Sequence, residues 1–447
     1  MRVCIVGGGG GASNAANVVR LLDKEAQIDI FTNRGEIGNI PCEIPFVLRG
    51  TIPSWEDSFA FREGFYRERN ITVHLNTEVT DIFRQEKRLV AGGKSYQYDK
   101  AILDLGATPW VPPIPGLDGW NEFVLGTDLK YARAFEQAIP KYTSAAIVGA
   151  GAIGLEVAAA LLAKGYHPIY VLDVLENVLG VCLDKDMAER VEERIKDKGI
   201  ELILAVNIQG ITSKGGKKVL TLPQREMEAD FVFFACGAKP NTELARRAGL
   251  AIGETGAIAV NEYLQTSDPD IYAIGDCMEN WDMITGSKRR HQLATNAART
   301  GSIAARNLVL GNVLPYRGTV MAFIIEVFGY QVGAVGFTEK QAREHGLDVV
   351  SSTTTATRRR LFGGKPIHIK LIARRDSHAL VGAQVVSEEL VAGQIDKLAV
   401  AVAERIPAER LALIDTCYSP PLGSAYAPLA MALDELVPKL VSDRGKL

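Results

Sequence analysis

The sequence predicts an α/β protein with two parallel-sheet domains, followed by a C-terminal domain of α+β type. Three observations predict this arrangement. At the start of the chain, an apolar run, a glycine cluster, a helical pattern and a second apolar run follow one another, and the same order recurs from residue 145. From about residue 320 the pattern changes to antiparallel strands and an alanine-rich helix. Strand, glycine turn, helix and strand form the βαβ unit, which requires a parallel sheet.

The composition limits the class of protein. The chain has 447 residues, of which 47% are apolar, and 50 basic against 53 acidic residues give a net charge of −3. At about 150 residues per domain, this length predicts about three domains. The charge balance predicts no nucleic-acid partner, because phosphate binding needs a basic face. The six cysteines lack metal-ligand spacing such as C-x-x-C, so we expect no metal site, no disulfide framework and a reducing cytoplasm.

The apolar stretch of residues 145–163 is long enough to resemble a membrane span. It contains Glu156 and a glycine pattern typical of a phosphate loop, so we expect no membrane association. The N-terminal run of residues 1–6 leads directly into glycines and lacks the apolar region and cleavage site of a signal peptide. The sequence therefore predicts a cytoplasmic protein.

The first βαβ unit has strands at residues 2–6 and 28–31, with a helix over residues 12–22. Its turn reads Gly7-x-Gly9-x-x-Ala12. Glycines let the backbone approach a pyrophosphate, whose charge meets the amides at the helix N-terminus. One such turn also occurs in unrelated folds, but two predict two Rossmann-like dinucleotide-binding domains. Thr32 and Asn33 follow the second strand where an acidic residue usually binds ribose, and we predict that they take over this contact.

The second βαβ unit has strands at residues 145–148 and 169–172. Its turn contains Gly149, Gly151 and Gly154, and Asp173 follows the second strand where an acidic side chain binds the ribose 2′-hydroxyl. Residues 174–177 contain no Arg or Lys, so a 2′-phosphate would meet no cation. This pattern favours NADH over NADPH.

A third signal is the strand that ends in Gly275-Asp276. This strand resembles the second FAD motif of the pyridine nucleotide-disulfide oxidoreductases. Residues 293–297, 104–109 and 236–242 are similar to the flavin-facing helix start and the two connector motifs of the same family. The resemblance implies FAD in the first domain, NADH in the second, and cofactor contacts from Gly106, Gly237, Gly275, Asp276 and Ala294. It also implies an order of FAD-binding domain (1–112 and 243–319), NAD(P)-binding domain (113–242) and dimerisation domain (320–447).

The segment Pro41-Cys42-x-Ile44-Pro45 resembles the single-cysteine branch of this family. That branch includes coenzyme A disulfide reductases, NADH-dependent persulfide and polysulfide reductases, NADH oxidases and NADH peroxidases. One thiolate beside a flavin can hold a mixed disulfide or persulfide, or it can cycle through a sulfenic acid. Either role needs a depressed pKa of Cys42, supplied by helix-terminal amides or neighbouring cations. The alternative is a buried, inert thiol.

The resemblance further implies a homodimer in which each subunit completes the site of the other. Tyr418 is then a candidate proton donor to a departing thiolate, its alternative being a packing tyrosine. Arg20 is a candidate contact for the phosphates of coenzyme A, and Asn39 is a candidate substrate contact beside Cys42. The chain departs from the family at Ala152 and at residues 361–362, where relatives commonly have tyrosines.

The sequence thus predicts an FAD-dependent NADH oxidoreductase with one redox-active cysteine, which reduces coenzyme A disulfide, persulfide or polysulfide sulfur. A rival function is an NADH oxidase or peroxidase that reduces oxygen or peroxide. A third, of another class, is a redox-sensing flavoprotein that acts on a protein partner.

Overall fold

The computed structural model describes residues 1–442. In residues 1–112 the strands are β1 (Arg2–Val6), β2 (Gln27–Phe31), β3 (Ile71–His74), β4 (Val79–Phe83), β5 (Arg88–Ala91), β6 (Lys94–Gln97), β7 (Lys100–Leu103) and β8 (Ala107–Pro109), and the helices are α1 (Gly10–Leu22), α2 (Ile44–Arg49) and α3 (Glu63–Glu68). In residues 113–242 the strands are β9 (Glu122–Val124), β10 (Ala145–Val148), β11 (Ile169–Leu172), β12 (Glu201–Ile203), β13 (Gly210–Lys214), β14 (Lys217–Thr221), β15 (Glu226–Ala229), β16 (Phe231–Phe234) and β17 (Ala238–Pro240), and the helices are α4 (Leu129–Ala138), α5 (Ala152–Ala163) and α6 (Lys185–Asp197).

The remaining elements follow in the same order. Residues 243–319 contain α7 (Glu243–Arg247), β18 (Ile271–Ala273), β19 (Asn280–Trp281), β20 (Lys288–Arg289) and α8 (Ala294–Leu310). Residues 320–442 contain β21 (Phe323–Val327), β22 (Tyr330–Gly336), α9 (Glu339–Glu344), β23 (Val349–Thr357), β24 (Pro366–Arg374), β25 (Leu380–Ser387), α10 (Ala392–Ala403), α11 (Ala408–Ala412) and α12 (Pro428–Val441). Short 3-10 turns include Pro41–Glu43 and Gly275–Cys277.

The first sheet is parallel and has the strand order β18-β7-β1-β2-β3. Its central strands are buried, and α1 packs against α8 on one side. Because β18 comes after the whole second sheet in the chain, the first domain is built from two separate stretches of sequence. The carboxyl ends of β1, β7 and β18 therefore meet at one edge of the sheet, which is where open α/β sheets bind ligands.

The second sheet is also parallel, in the order β12-β11-β10-β16-β9. The predicted strands at residues 145–148 and 169–172 are confirmed with the same bounds. Strand β8, which follows the first sheet, pairs with β17, which follows the second. This two-stranded ladder forms the connection between the two parallel-sheet domains.

The third sheet is antiparallel, in the order β21-β22-β25-β24-β23, with α10 and α12 packed on it. The predicted α+β character of this region is confirmed. Residues 324–336 form a hairpin, since Phe328 and Gly329 have positive φ values of 53° and 83° and turn the chain between β21 and β22. Within residues 1–442, no helix combines the length and the apolar character needed to cross a bilayer.

Helix α2 lies at the junction of the three domains. Its side chains Ile44 and Leu48 are buried in the core that surrounds α5 of the second domain, together with Ile325 and Val327 of β21. The residues just before α2 are therefore held where the two parallel-sheet domains and the third domain meet.

Candidate active site

The first glycine turn closes against Asp104, at the end of β7. Gly7 has a φ of 119°, and a Cβ at this position would lie 1.9 Å from the carbonyl oxygen of Asp104. The backbone N–H of Ala12 donates a hydrogen bond of 2.8 Å to Asp104 Oδ2, and a Cβ on Gly9 would lie 2.8 Å from the same oxygen. Burial raises the pKa of Asp104 to about 6, against the lowering effects of the Ala12 N–H and of Arg34.

A cleft of about 510 Å³ opens beside this turn. Thr32 and Asn33, the predicted ribose contacts, both line it. Two carboxylates that sequence reasoning missed, Glu78 and Glu243, reach the same cleft from other parts of the chain. An acidic group is therefore available near the position where the usual one is missing, although it comes from a different element.

Asp276 lies in the 3-10 turn after β18, close to the start of α8. Burial, followed by the nearby charge of Asp104, raises its pKa to about 7. Among the described residues none donates a hydrogen bond to its carboxylate. At the start of α8, Ala294 is exposed and no side chain caps the helix. Gln292 Nε2 is buried without a hydrogen-bond partner just before it.

The second glycine turn has the same construction. Gly149 has a φ of 115°, and a Cβ there would lie 2.4 Å from the carbonyl oxygen of Ala235. A Cβ on Gly154 would lie 1.9 Å from the carbonyl oxygen of Gly149, whereas Gly151 faces open space. Gly149 and Gly154 thus allow the backbone to pack closely, and Gly151 leaves room above the helix N-terminus for a ligand.

Asp173 is held at the end of β11 by two backbone amides. Its carboxylate accepts hydrogen bonds from Ala150 N (2.7 Å) and Leu175 N (2.9 Å). Val174 is 65% exposed and follows it directly, with Leu175 also exposed. The side chain is therefore fixed beside the glycine turn, next to an apolar surface.

The two connector glycines lie at the β8–β17 ladder. Gly106 and Gly237 have φ values of 67° and 90°, so both use the conformation that favours glycine. Asn241 N donates to the carbonyl oxygen of Gly106 (3.0 Å), which joins the two connector motifs. Their predicted contact with a cofactor stays a prediction.

Cys42 is exposed and lies in the 3-10 turn that precedes α2. The surrounding protein nevertheless desolvates its thiol, and this burial raises the pKa of Cys42, with further increases from the carboxylates of Glu156 and Asp276. The expected depression of the Cys42 pKa is not found, because burial raises the pKa first and the neighbouring carboxylates raise it further. Its alternative, a buried inert thiol, does not fit an exposed side chain.

The two carboxylates that act on Cys42 come from different domains. Asp276 belongs to the turn after β18 in the first domain, and Glu156 belongs to α5 in the second. Both are close enough to influence the thiol. Carboxylates from both parallel-sheet domains therefore raise the pKa of Cys42.

Sequence reasoning used Glu156 only to exclude a membrane span and missed it as a site residue. Burial and the charge of Glu326 raise the pKa of Glu156 to about 7, and Arg49 opposes this increase. One signal could have revealed it: Glu156 is the single charged residue of the otherwise apolar helix Ala152–Ala163, one turn after the glycine turn.

The two predicted substrate contacts have other partners. Arg20 donates to five backbone carbonyl oxygens: those of Asp23 (3.2 Å), Lys24 (2.6 Å), Ala26 (2.7 Å), Arg69 (2.7 Å) and Asn70 (2.9 Å). A guanidinium has five N–H groups, so none remains for a phosphate. Asn39 is buried and its Nδ2 donates to the carbonyl oxygen of Thr127 (3.3 Å). This geometry argues against the predicted role of Arg20, whereas the substrate contact predicted for Asn39 stays a prediction.

Tyr418 is 53% exposed and lies in the segment between α11 and α12. No hydrogen bond joins it to Cys42 within the described part of the chain. Its predicted role as a proton donor therefore depends on a second subunit and stays a prediction. Within one subunit Tyr418 is not buried, so its alternative role as a packing tyrosine also depends on a second subunit.

The described residues fit FAD and a nicotinamide dinucleotide. The first site combines a turn in which a Cβ on Gly7 or Gly9 would collide with Asp104, a half-buried carboxylate at Asp276 that accepts no hydrogen bond from the described residues, and a buried amide nitrogen without a partner at Gln292. These groups suit the pyrophosphate, the hydroxyl chain and the polar ring edge of FAD, in that order. The second site combines its own glycine cradle with Asp173, which suits a dinucleotide ribose.

Two parallel-sheet domains, each with a glycine turn that fits a dinucleotide, define a protein that binds two dinucleotides, and an exposed cysteine lies where these domains meet. Residues 1–301 match the model of the pyridine nucleotide-disulphide oxidoreductases, and residues 324–430 match the dimerisation domain of the same family. The chain belongs to this family. It is accordingly an oxidoreductase that uses FAD and NAD(P)H.

Relatives with related activities cover nearly the whole chain. An NADH oxidase from Methanocaldococcus jannaschii is 35% identical over 98% of this chain and 99% of its own length. An NAD(P)H coenzyme A polysulfide/persulfide reductase from Pyrococcus horikoshii is 31% identical over 96% of each chain. The structure of an NAD-dependent persulfide reductase from A. fulgidus superimposes with a TM-score of 0.93 and 30% identity, covering 100% of this chain and 84% of the other.

Proposed function

We propose that this protein uses NADH to reduce small sulfur compounds, namely disulfides, persulfides or polysulfides, through FAD and Cys42. The observation that carries the proposal is the position of Cys42, which is exposed and lies in the field of both Asp276 and Glu156. The exposed side of the Cys42 thiol is open to a substrate. Its other side faces the protein, from which the bound flavin would supply electrons. The A. fulgidus and P. horikoshii relatives, named for persulfide and polysulfide reduction, support this choice.

In this proposal Gly7, Gly9 and the amides of α1 hold the FAD pyrophosphate, and Thr32 with Asn33 holds the adenosine ribose. Asp276 orients the hydroxyl chain, and the open amides at Ala294 hold the ring edge. FAD, when bound, supplies the step between a hydride from NADH and a pair of electrons for sulfur. The protein positions these groups and controls their protons.

Cys42 provides the sulfur chemistry. Its thiolate attacks a sulfur–sulfur bond, forms a mixed disulfide or persulfide, and releases the other sulfur as a thiolate. Two electrons then break the new S–S bond and restore the Cys42 thiolate together with a second reduced sulfur product. Because the pKa of Cys42 is raised in the isolated chain, bound cofactor and the second subunit must stabilise the thiolate.

Asp173 supports NADH as the preferred cofactor. Its carboxylate is fixed beside the second glycine turn, where it would repel a 2′-phosphate and accept from a 2′-hydroxyl. The exposed residues that follow it are the apolar Val174 and Leu175 and the acidic Glu176, so no cation is available there for a 2′-phosphate. We expect kcat/KM for NADH to exceed that for NADPH.

The match of residues 324–430 to a dimerisation domain supports a homodimer. This region exposes large apolar side chains that a partner subunit would cover, namely Leu361, Phe362, Leu390, Leu413, Tyr418 and Leu422. In such a dimer Tyr418 of one subunit would protonate the thiolate that leaves Cys42 of the other. Arg20 does not support coenzyme A as an obligatory part of the substrate, since its N–H groups are all used within the protein.

A second candidate function is an NADH oxidase. The relative from M. jannaschii, 35% identical, carries this name. In that case oxygen would take the electrons, and Cys42 would cycle as a sulfenic acid.

Stopped-flow reoxidation of the NADH-reduced enzyme tests the proposal, with wild type compared with Cys42→Ser. Coenzyme A disulfide, polysulfide, peroxide and air serve as separate acceptors. We expect a sulfur acceptor to reoxidise the wild type fastest and the variant to fail with it. Equally fast reoxidation of both proteins by air, with slow sulfur reduction, would support the oxidase instead. Slow reoxidation by every acceptor would contradict both and favour a redox-sensing role.

A further inference from the structure

A buried lysine of the third domain contacts the start of α6 in the second domain. The side chain of Lys370, on β24, is 7% exposed, and its Nζ lies 2.9 Å from Asp186 Oδ1 and 3.3 Å from Asp184 Oδ2. A third carboxylate oxygen, Oε2 of Glu339 on α9, lies 3.4 Å from the same nitrogen. Burial lowers the pKa of Lys370, but these carboxylates raise it more, so the side chain is charged. One buried cation therefore joins acidic groups from two domains.

Hydrogen bonds from the third domain also surround Asp184, the residue that precedes α6. Its carboxylate accepts from Gln384 Nε2 (2.7 Å) and from the backbone N–H of Glu339 (3.0 Å). Its own N–H donates to Gln384 Oε1 (2.9 Å). Asp186, in the first turn of the helix, accepts from Thr353 Oγ1 (2.8 Å). The start of α6 is therefore fixed by polar contacts with the third domain.

A short path of hydrogen bonds leads from Asp184 to the second glycine turn. Leu183, its neighbour in the chain, donates its N–H to the carbonyl oxygen of Leu179 (2.9 Å), and Leu179 N donates to the carbonyl oxygen of Ala150 in the turn (2.9 Å). Ala150 N donates to Asp173 Oδ2 (2.7 Å). Both leucine side chains are buried. A displacement at the start of α6 would therefore reach the turn and Asp173 through contacts that follow one another directly.

We propose that Lys370 is a positioning residue for NADH: by holding the start of α6, it keeps the second glycine turn and Asp173 in the arrangement that binds the dinucleotide. This inference rests on the proposed placement of NADH at that turn. Without the lysine, the carboxylates of Asp184, Asp186 and Glu339 would lose the cation that they share in a partly buried space. Their repulsion would move the start of α6 away from the third domain, and the hydrogen-bonded segment would displace the turn.

A second ion pair provides a matched control, because it joins the same helix to the same domain far from the turn. Arg194, in the last turn of α6, lies about 15 Å along the helix from Asp184. Its Nη2 is 3.2 Å from Glu388 Oε1, and its guanidinium lies 4.5 Å from the centre of the Tyr330 ring. If Lys370 only held the two domains together, the loss of either cation would have the same effect on NADH. If it positions the turn, only the loss of Lys370 weakens NADH binding.

Calorimetric titration of the FAD-loaded enzyme with NAD⁺ tests the inference, because NAD⁺ binds without turnover. We expect Lys370→Met to raise the Kd by at least about tenfold, and Arg194→Met to leave it near the wild-type value. Stopped-flow reduction of the flavin by NADH should show the same contrast. Oxidation of the dithionite-reduced flavin by ferricyanide needs neither NADH nor Cys42, so its rate should be unchanged in both variants. A merely structural role would lower stability and FAD content but leave the Kd of the FAD-loaded fraction unchanged.

Substitution of Asp186, which is 45% exposed, gives a second test with little risk to folding. In the wild type, Asp186→Asn weakens the contact with Lys370 and should raise the Kd by a smaller factor. In Lys370→Met the same change removes one of the repelling carboxylates and should lower the Kd. This reversal of sign distinguishes a charge that positions the helix from one that does not. If Lys370→Met does not retain FAD, the smaller increase in Asp186→Asn alone remains the deciding result.

An unchanged Kd in Lys370→Met, or an equal increase in Arg194→Met, would overturn the inference. Asp173→Ala tests the proposed function separately, since its Kd should rise if NADH binds at the second glycine turn. If Asp173→Ala binds NAD⁺ as tightly as the wild type, the proposed placement of NADH is wrong and the inference fails with it. If Asp173→Ala binds weakly while Lys370→Met and Asp186→Asn bind normally, only the role of Lys370 is wrong.

Discussion

The carboxylate of Asp104 accepts a hydrogen bond of 2.8 Å from the backbone N–H of Ala12. This bond joins the end of β7 to the first turn of α1, at the point where three glycines pack around the same carboxylate. A Cβ on Gly9, Gly11 or Gly275 would lie 2.8, 3.1 or 2.8 Å from an Asp104 oxygen. The first glycine turn therefore packs on the carboxylate of Asp104. The position of Asp104 in the connector motif gave no indication of this role.

Asp104→Ala should destabilise the holoenzyme, because it leaves the Ala12 N–H buried without an acceptor and opens a space among the glycines. We expect a loss of about 1–3 kcal/mol in the free energy of unfolding. Asp104→Asn keeps an acceptor oxygen and should lose less. Urea denaturation of the FAD-loaded proteins checks this order, and equal stability of wild type and Asp104→Ala would contradict it.

Gly154→Ala should weaken NADH binding while FAD stays bound. Its added Cβ would lie 1.9 Å from the carbonyl oxygen of Gly149, so the second turn must open. Gly151→Ala is the matched control for packing, since nothing lies within 4 Å of the Cβ that it adds. Thermal unfolding and NADH titration separate the two variants. The packing explanation fails if Gly154→Ala folds as stably as Gly151→Ala.

Alkylation of Cys42 by iodoacetamide should be slow near neutral pH. The rate should rise only at a pH higher than the pH at which a free cysteine thiol ionises and reacts. The reason is that burial and the charges of Glu156 and Asp276 raise the pKa of Cys42, so the reactive thiolate forms only at higher pH. Glu156→Gln removes one of these negative charges, lowers the pKa, and should increase the rate at a fixed pH of about 8. Peptide mass spectrometry must confirm the modified residue, and a slower rate in this variant would contradict the sign.

Arg20→Lys and Arg20→Gln should both lower stability, by about 1–3 kcal/mol, and leave the KM for a sulfur acceptor unchanged. Arg20 uses all five N–H groups to tie the end of α1 to the turn before β3. A lysine keeps the charge but cannot reproduce this fork. If Arg20 bound a substrate phosphate, the lysine variant would instead keep its stability, and the glutamine variant would raise KM.

The sequence predicted the elements that depend on local pattern. Both βαβ units follow from apolar runs and glycines that are close together in the chain, and β10 and β11 have the bounds that were expected. Thr32 and Asn33 line the cleft beside the first glycine turn and Cys42 is exposed, while the cofactor and substrate contacts of these residues stay predictions. Local sequence suffices there because each motif encodes one turn and its backbone conformation.

What sequence reasoning missed depends on contacts between distant residues. Asp104, at the end of β7, accepts a hydrogen bond from Ala12 of α1, which lies far from it in the chain. The pKa of Glu156 is raised by burial and by Glu326 on β21, against the lowering effect of Arg49 on α2. Arg20 was misjudged for the same reason, since its partner carbonyls include those of Arg69 and Asn70, far along the chain. No periodicity or spacing encodes which charges or carbonyls a fold brings together.

The central claim is that Cys42, once it is joined to substrate sulfur as a mixed disulfide, takes up a pair of electrons in addition to those held by the flavin. Anaerobic titration with NADH tests it most directly, on oxidised holoenzyme that has been treated with coenzyme A disulfide and freed of excess reagent, with absorbance recorded for the flavin and free thiols counted after each addition. If the claim is correct, the wild type consumes one more equivalent of NADH per subunit than Cys42→Ser, and a new thiol or sulfide appears with that extra equivalent. Equal consumption by the two proteins, with no sulfur product, would show that Cys42 is not redox-active and would contradict the account.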